Sequence, residues 1–406
     1  MYIVKKNTNK EHISSELSLR KLLTEFLEDE SNDITIRPLS EQLGLSESRL
    51  KKYLAGDADI NMGHAVRIME LFDLSENELI AAYNNDMDNS DIDQYNKTKE
   101  ISYVYRHFDI QTLKKIGILK KSKIEEYSQQ LCDFFGFNSI YEYDSIELGM
   151  SLFSKSYKQV SANKEKKMVE FWLKCSCRSF LKISNPFEYD RELLIEFLKR
   201  ISQYTADVVH GLEKIVLILF RLGVTVLIHE YVPNTTSFGV SMIVNGKPCI
   251  VITDMNKQYH KLWLNLLHEL YHILYDWDML EKVNYHISDK NNPELIFSEE
   301  RADDFSYNAL INPAIQNELH KIIPMRFKVH SLASSLSIDP SIIYGVYLER
   351  LPNGLKKNRE YAKYNNPACL KSSDIAITKI SFDPVTRRSL IDSISKMQES
   401  VQKISI

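Results

Sequence analysis

Leu262-Trp-Leu-Asn-Leu-Leu-His-Glu-Leu-Tyr-His-Ile-Leu-Tyr275 contains neither Gly nor Pro, and its apolar content predicts a helix anchored in a core. His268 and His272 are four residues apart, which puts both imidazoles on one face of that helix, a turn apart. Two nitrogens so placed can converge on one zinc ion at about 2.0–2.1 Å. Glu269, directly after the first His, is angled to reach a water beside that ion and take its proton. Two histidines on a helix are unexceptional by themselves. A third ligand at a suitable distance is what separates a metal centre from chance.

Two stretches offer one. Asp278 follows His272 at an offset that some zinc peptidases use, but those need a Gly to turn the chain back, and Tyr275 stands there. The better candidate is Phe297-Ser-Glu-Glu-Arg-Ala-Asp-Asp-Phe-Ser-Tyr-Asn-Ala-Leu310, read as a second helix with Ser298 as N-cap and an acidic first turn. Glu299 would be the ligand, with Asp303 one turn on to orient a ligating imidazole. Glu300 with Asp304 has the same spacing, so the register is open by one, although Ala302 and Phe305 suit a face packed on the first helix and favour Glu299.

The residues outside this motif bound the class. The chain has 406 residues, 44% hydrophobic and 26% charged, with a net charge of −4, so it is long enough for two or three compact domains and carries no global basic field. Five scattered cysteines do not make a disulfide framework and point to a reducing, cytoplasmic setting. Cys175 and Cys177, two apart on an expected helix, diverge and are a poor metal pair. Residues 1–10 lack the apolar core of a signal peptide, and no window reaches the roughly 18 apolar residues of a membrane span. No membrane partner is expected.

The expected fold is mainly α with a small β-sheet. Residues 1–83 read as a domain of short helices, 84–110 as an acidic, polar linker, and 111–222 as a helical middle region. The metallopeptidase domain would span 223–350, with a β-rich run from Val224 to Val232 and then two strands joined at Asn245-Gly246, a hairpin signal. The strand near Cys249–Thr253 could pair with an extended substrate if it lies at the sheet edge. Residues 351–406 form a C-terminal extension, in which Leu390, Ile394, Met397, Val401 and Ile404 mark an amphipathic helix. That seam suits packing on the body of the chain, or a homodimer.

His-Glu-Leu-Tyr-His, followed by Glu-Glu-Arg-Ala-Asp-Asp-Phe-Ser and Leu310-Ile-Asn-Pro313, resembles the ImmA/IrrE-type metallo-endopeptidases. Leu222-Gly-Val-Thr-Val and the strand at Gly246-Lys-Pro-Cys-Ile echo members fused to a helix-turn-helix, HigA-type antitoxin regulators among them. The resemblance implies a zincin-like domain with Zn2+ held by His268, His272 and Glu299, and Glu269 as general base and acid. It also implies a protein substrate such as a repressor or a toxin–antitoxin partner. Tyr271 stands where the family usually has Gly or Ala, and Ser306 where it usually has Ala. Tyr271 would narrow the cleft or donate a hydrogen bond to the reacting carbonyl.

Leu39 to Gly56 reads as two short helices joined at Gly44-Leu45, with Ser46 capping the second and Leu50 and Leu54 facing inward. This resembles the lambda-repressor-like helix-turn-helix, whose recognition helix would here offer Ser46, Ser48, Arg49, Lys51 and Lys52 to double-stranded DNA. Residues 1–95 hold 10 Lys/Arg against 19 Asp/Glu, a net of −9, so DNA binding would depend on those few bases being focused on one face. His330 to Gly345 looks like a second, smaller unit of this kind, expected to belong to the peptidase domain. Two further readings remain at this point: a DNA-binding antitoxin or autorepressor with a structural or silent metal site, and a sensor that binds a partner without cutting it.

Overall fold

A computed structural model describes residues 17–87, 89–146, 164–229, 231–235, 239–283, 285–288 and 299–379. The fold is mainly α, with one four-stranded mixed sheet among the described residues. The amphipathic seam at 390–404 and the Ser298 N-cap lie outside the described residues. The chain divides into two compact units, one ending at Glu100 and one starting at Ile101.

In the first unit, α1 (Leu19–Glu28), α2 (Ile36–Leu43), α3 (Glu47–Ala55), α4 (Met62–Phe72) and α5 (Glu76–Asn85) close on a core that includes Leu23, Leu39, Leu50 and Ile68. The α2–α3 turn is made by Gly44 at φ 68°, a left-handed conformation that suits glycine. Arg67 Nη1 donates to the Leu43 carbonyl at 2.8 Å and satisfies the end of α2. Ser46 caps α3 by accepting from the Arg49 N–H at 3.2 Å. Leu50 is fully buried and Leu54 packs, partly buried, against the same core, with Tyr53 buried beside them. The Tyr53 hydroxyl donates to Asp86 at 2.6 Å, and Ser18 Oγ and the Arg20 N–H donate to the same carboxylate.

The stretch expected as a linker is helical instead: α6 (Asn89–His107) runs through it. Residues 93–100 are exposed all round, so this half of the helix has no apolar face and reads in the sequence like solvent-exposed chain. Its far end is fastened by the buried Tyr103 and Val104.

The second unit is organised by its sheet. After α7 (Ile110–Lys115), α8 (Tyr127–Phe135), α9 (Lys164–Ile183), α10 (Arg191–Leu198) and α11 (Gly211–Arg221) come β1 (Thr225–His229), β2 (Gly239–Val244) and β3 (Lys247–Thr253). Asn245 and Gly246 both have positive φ and close the β2–β3 hairpin with Val244 opposite Lys247, the two-residue turn the sequence announces. β1 lies parallel to β3, and β4 (Tyr285–Ser288) pairs antiparallel with β2, giving the order β1-β3-β2-β4.

Side-chain alternation splits the sheet between two cores. Val226, Ile228, Ile250 and Ile252 face the core that holds α12 (Tyr259–Tyr275). Leu227, Val240, Met242, Cys249, Val251 and Ile287 face an aromatic core built by α8 and α9 around Phe134, Phe135, Phe171 and Trp172. The boundary expected at 222/223 therefore falls inside one unit, because the back of the sheet is covered by the middle region. The buried Cys175 and Cys177 belong to this packing.

Helix α12 is buried on nearly every side, and its Tyr259 N–H is satisfied by the Lys371 carbonyl at 2.9 Å rather than by a side-chain cap. After α13 (Trp277–Val283) and β4, helix α14 (Glu299–Leu310) lies along it, brought close by the fully buried Ala302 and Ser306. Next come α15 (Pro313–Ile322), α16 (Arg326–Leu336) and α17 (Pro340–Arg350), followed by α18 (Leu355–Tyr364) and α19 (Asp374–Lys379). The α16–α17 pair shares the core of α12.

Gly345 marks the crossing of α17 over α12. A Cβ there would stand 2.3 Å from the His260 ring, which is fully buried and has neither nitrogen hydrogen-bonded among the described residues. Burial holds that imidazole neutral, its pKa pushed down to about 3. Gly345→Ala should therefore destabilise the chain by about 1–3 kcal/mol, as overpacking of a core does. Denaturant unfolding reads this directly, and an unchanged midpoint would show that the two helices can separate freely.

Candidate metal centre

Helix α12 carries His268, Glu269 and His272 as the spacing requires, and α14 brings Glu299 to them from the other side. His268 Nε2 lies 3.2 Å from His272 Nε2 and 3.2 Å from Glu299 Oε2, and His272 Nε2 lies 3.6 Å from Glu299 Oε1. Ligands about 2.0–2.1 Å from a tetrahedral ion stand about 3.3–3.4 Å apart. The three side chains thus form a cluster that could hold a metal ion, the one such group among the described residues. Asp278, Cys175 and Cys177 are not part of it. Glu300 is exposed and Asp304 pairs with Arg350 at 3.3 Å, which settles the open register on Glu299.

The outer nitrogens fix the chemistry of the inner ones. His268 Nδ1 is 2.9 Å from Asp303 Oδ1, and His272 Nδ1 is 2.7 Å from Asp276 Oδ2. An ionised carboxylate only accepts, so each Nδ1 carries the proton and each Nε2 turns a lone pair inward when the ring is neutral. Asp303 stands where the sequence expects an orienting group. Asp276 was missed: its signal is the spacing of four from His272, at the C-cap of α12.

Two lone pairs and a carboxylate at these separations, mostly buried, repel one another unless a cation lies among them. The titration of the cluster reflects this. Burial alone would lower the His268 pKa, but hydrogen bonds to Asp303 and Glu299 and the nearby carboxylates raise it to about 10. Burial would raise Glu299, yet its bonds to His268 and His286 hold it well below the usual carboxylate range. His272, desolvated and facing other imidazoles, is pushed down despite Asp276.

Glu269 is 1% exposed. Ser241 Oγ on β2 is 2.7 Å from Glu269 Oε2 and 3.0 Å from the Glu269 carbonyl oxygen, so its single proton serves one of them at a time. Gly239, also on β2, leaves the room the carboxylate occupies: a Cβ there would lie 2.3 Å from Oε1. Beside the cluster is a pocket of about 50 Å³, enough for a few waters, lined among others by Lys261, Asn265, His268, Glu269, Glu299 and Glu349.

Two expectations change. Residues Cys249–Thr253 lie on β3, which is flanked by β1 and β2, so they have no free edge to offer a substrate. Tyr271 does not line the pocket; it packs against Tyr275 and Phe305, with ring centroids 5.0 and 5.7 Å away. A second residue also escaped the sequence reading. His286 on β4 sets its Nε2 2.7 Å from Glu299 Oε1, and nothing in its sequence neighbourhood marks it.

Because the folded-state pKa of His268 lies above its ordinary 6.5, its proton stabilises the metal-free protein fully below about pH 6.5, and that contribution fades as pH rises towards 10. A metal ion must displace the same proton. Apparent zinc affinity, read by chelator competition between pH 7 and 9, should climb about tenfold per pH unit. A flat profile would remove His268 from the ligand set. No family model, curated protein or solved structure matches the chain, so the site is read from its own geometry.

Proposed function

We propose that the chain is a zinc-dependent endopeptidase of the ImmA/IrrE type, joined to a helix-turn-helix module and acting in the cytoplasm on a protein partner such as a repressor or a toxin–antitoxin component. The observation that carries this reading is the convergence of His268 Nε2, His272 Nε2 and the Glu299 carboxylate at metal-ligand separations, with Glu269 one residue from the first ligand. The donor set, two imidazoles and one carboxylate, is one used by zinc hydrolases, and it leaves a coordination position for a reactant. Among the described residues, no helix is long and apolar enough to cross a membrane.

His268, His272 and Glu299 would hold the ion. Zinc bound there would supply a Lewis acid for the scissile carbonyl and for a water molecule. The chain's own residues supply the rest. Asp303 and Asp276 keep both imidazoles in the tautomer that presents Nε2. Glu269 accepts a proton from the water and returns it to the departing amine as the carbon–oxygen bond forms and the peptide C–N bond breaks. Ser241, holding Oε2, restricts the carboxylate to one orientation.

The helix-turn-helix supports DNA as a second partner only through a few residues. Ser46 at the N-cap of α3 and Ser48, Arg49, Lys51 and Lys52 on it are all exposed. Arg49 already donates to the Asp59 carbonyl at 3.2 Å, which leaves Lys51 and Lys52 as the cations of α3 that no bond among the described residues holds away from phosphate.

Elemental analysis should find one zinc per chain in the wild type and none in His268→Ala or Glu299→Ala. Glu269→Gln should keep the metal and lower cleavage of a proteome-derived peptide library by about 10²–10⁴-fold, read as new N-termini by mass spectrometry. Zinc uptake with cleavage unaffected by Glu269→Gln would take the base role from that residue. For DNA, the double variant Lys51→Ala/Lys52→Ala should reduce the salt dependence of duplex binding by a slope of about 2. A wild type that binds no duplex at low salt would leave the module as a protein-interaction domain.

A further inference from the structure

Strand β4 is four residues long, lies at the sheet edge and pairs with β2 alone among the described strands. Its register sets His286 directly opposite Ser241. Cross-strand partners face the same side of a sheet, and here that side is the metal cluster. Ser241 Oγ is 2.7 Å from Glu269 Oε2, while His286 Nε2 is 2.7 Å from Glu299 Oε1. One cross-strand pair thus touches both the catalytic carboxylate and the ligating one. The neighbouring Ile287 turns to the opposite face and is buried in the α8–α9 core. His286 itself is 3% exposed, and its ring centroid lies 4.5 Å from that of His272.

Resting on the zinc reading above, we infer that β4 is a clasp: its docking on β2 and metal binding at His268, His272 and Glu299 form one coupled equilibrium, with His286 as the positioning residue that joins them. Glu299 opens α14, where the first backbone N–H groups have no helical partners and the long side chain would otherwise sample several rotamers. The His286 N–H holds Oε1, which leaves Oε2 beside His268 Nε2. Each of the three ligands then has its own tether: Asp303 for His268, Asp276 for His272 and His286 for Glu299. Asp303 sits on α14, and Asp276 is the C-cap of α12. The third is borne by a short edge strand, an element that is marginal on its own and belongs to the part of a fold that opens first. If docking β4 raises metal affinity, bound metal must hold β4 down by the same factor.

The test uses the full chain and zinc alone. In chelator competition, His286→Ala should weaken zinc binding about 10–100-fold, the usual effect of losing an orienting partner. His286→Gln, which keeps an N–H donor at similar reach, should stay within about threefold of wild type, whereas His286→Asn, too short to reach Glu299, should behave as the alanine variant does. Hydrogen exchange adds the reciprocal reading: zinc should slow exchange of the β4 amides in wild type and in His286→Gln, and not in His286→Asn. If His286→Ala proves unfolded, the Gln and Asn pair carries the comparison, with metal-free melting as the control. Wild-type affinity in His286→Asn, or β4 exchange indifferent to zinc, would overturn the clasp and leave the zinc site standing. A wild type that takes up no zinc would overturn both.

Discussion

The constraint on which the second unit depends is electrostatic: two imidazole lone pairs and a carboxylate are held within 3.6 Å of one another in a largely dry setting. With all three groups unprotonated the arrangement is repulsive, and without a metal it is relieved by the proton on His268 that pairs with Glu299. It persists because each group is gripped from behind, by Asp303, Asp276 and His286. Those grips in turn need rigid supports, since an imidazole held on a frayed helix would rotate away. The burial of α12 on nearly all sides is the physical answer to that need. A helix that was merely amphipathic would have left one flank of the cluster in water, where the charges would be screened and the donors free to disperse.

Burying a helix all round requires material on both sides of the sheet it rests on. Strand alternation supplies it by sending Val226, Ile228, Ile250 and Ile252 forward to α12 and Leu227, Met242, Cys249 and Val251 back to the aromatic core. The middle region is therefore part of the site's foundation. Close approach is then a matter of small residues at the right places. Gly239 lets β2 pass beside the Glu269 carboxylate, and Ala302 and Ser306 let α14 lie near enough for Glu299 to reach His268. None of these residues belongs to the cluster, and each sets a distance within it.

What the sequence made legible divides along the range of the interactions involved. His268, Glu269 and His272 were readable because one helical turn determines their geometry, and Asn245-Gly246 because a two-residue turn needs positive φ at both positions. Glu299 over Glu300 was already favoured by Ala302 and Phe305, and the exposure of Glu300 agrees. Asp276 is equally local, four residues from His272, but it orients an imidazole rather than binding metal, a role that the ligand-spacing pattern does not mark. His286 was out of reach: its role depends on the register of β4 against β2, which no local pattern encodes. The same holds for β3, whose apolar run is that of a strand buried on both faces but does not say which neighbours flank it. The first half of α6 was misread for a different reason, since a helix with no apolar face leaves no periodicity to find.

In the first unit, backbone shape and surface charge point in different directions. Its α2–α3 turn, with Gly44 left-handed and Ser46 capping, has what a helix-turn-helix needs for its shape. Yet a recognition surface is judged by its free charges, and among the described residues of this unit the arginines are already engaged. Arg37 lies 3.5 Å from Glu41 and 3.9 Å from Glu47, Arg67 closes the end of α2, and Arg49 reaches the Asp59 carbonyl. Against a net of −9 over residues 1–95, Lys51 and Lys52 on α3 give a shallow attraction to phosphate that salt would quickly screen. Any sequence preference would then have to come from Ser46, Ser48 and the short helix that carries them. Such readout adds discrimination between bases but supplies little of the affinity that brings a protein to DNA.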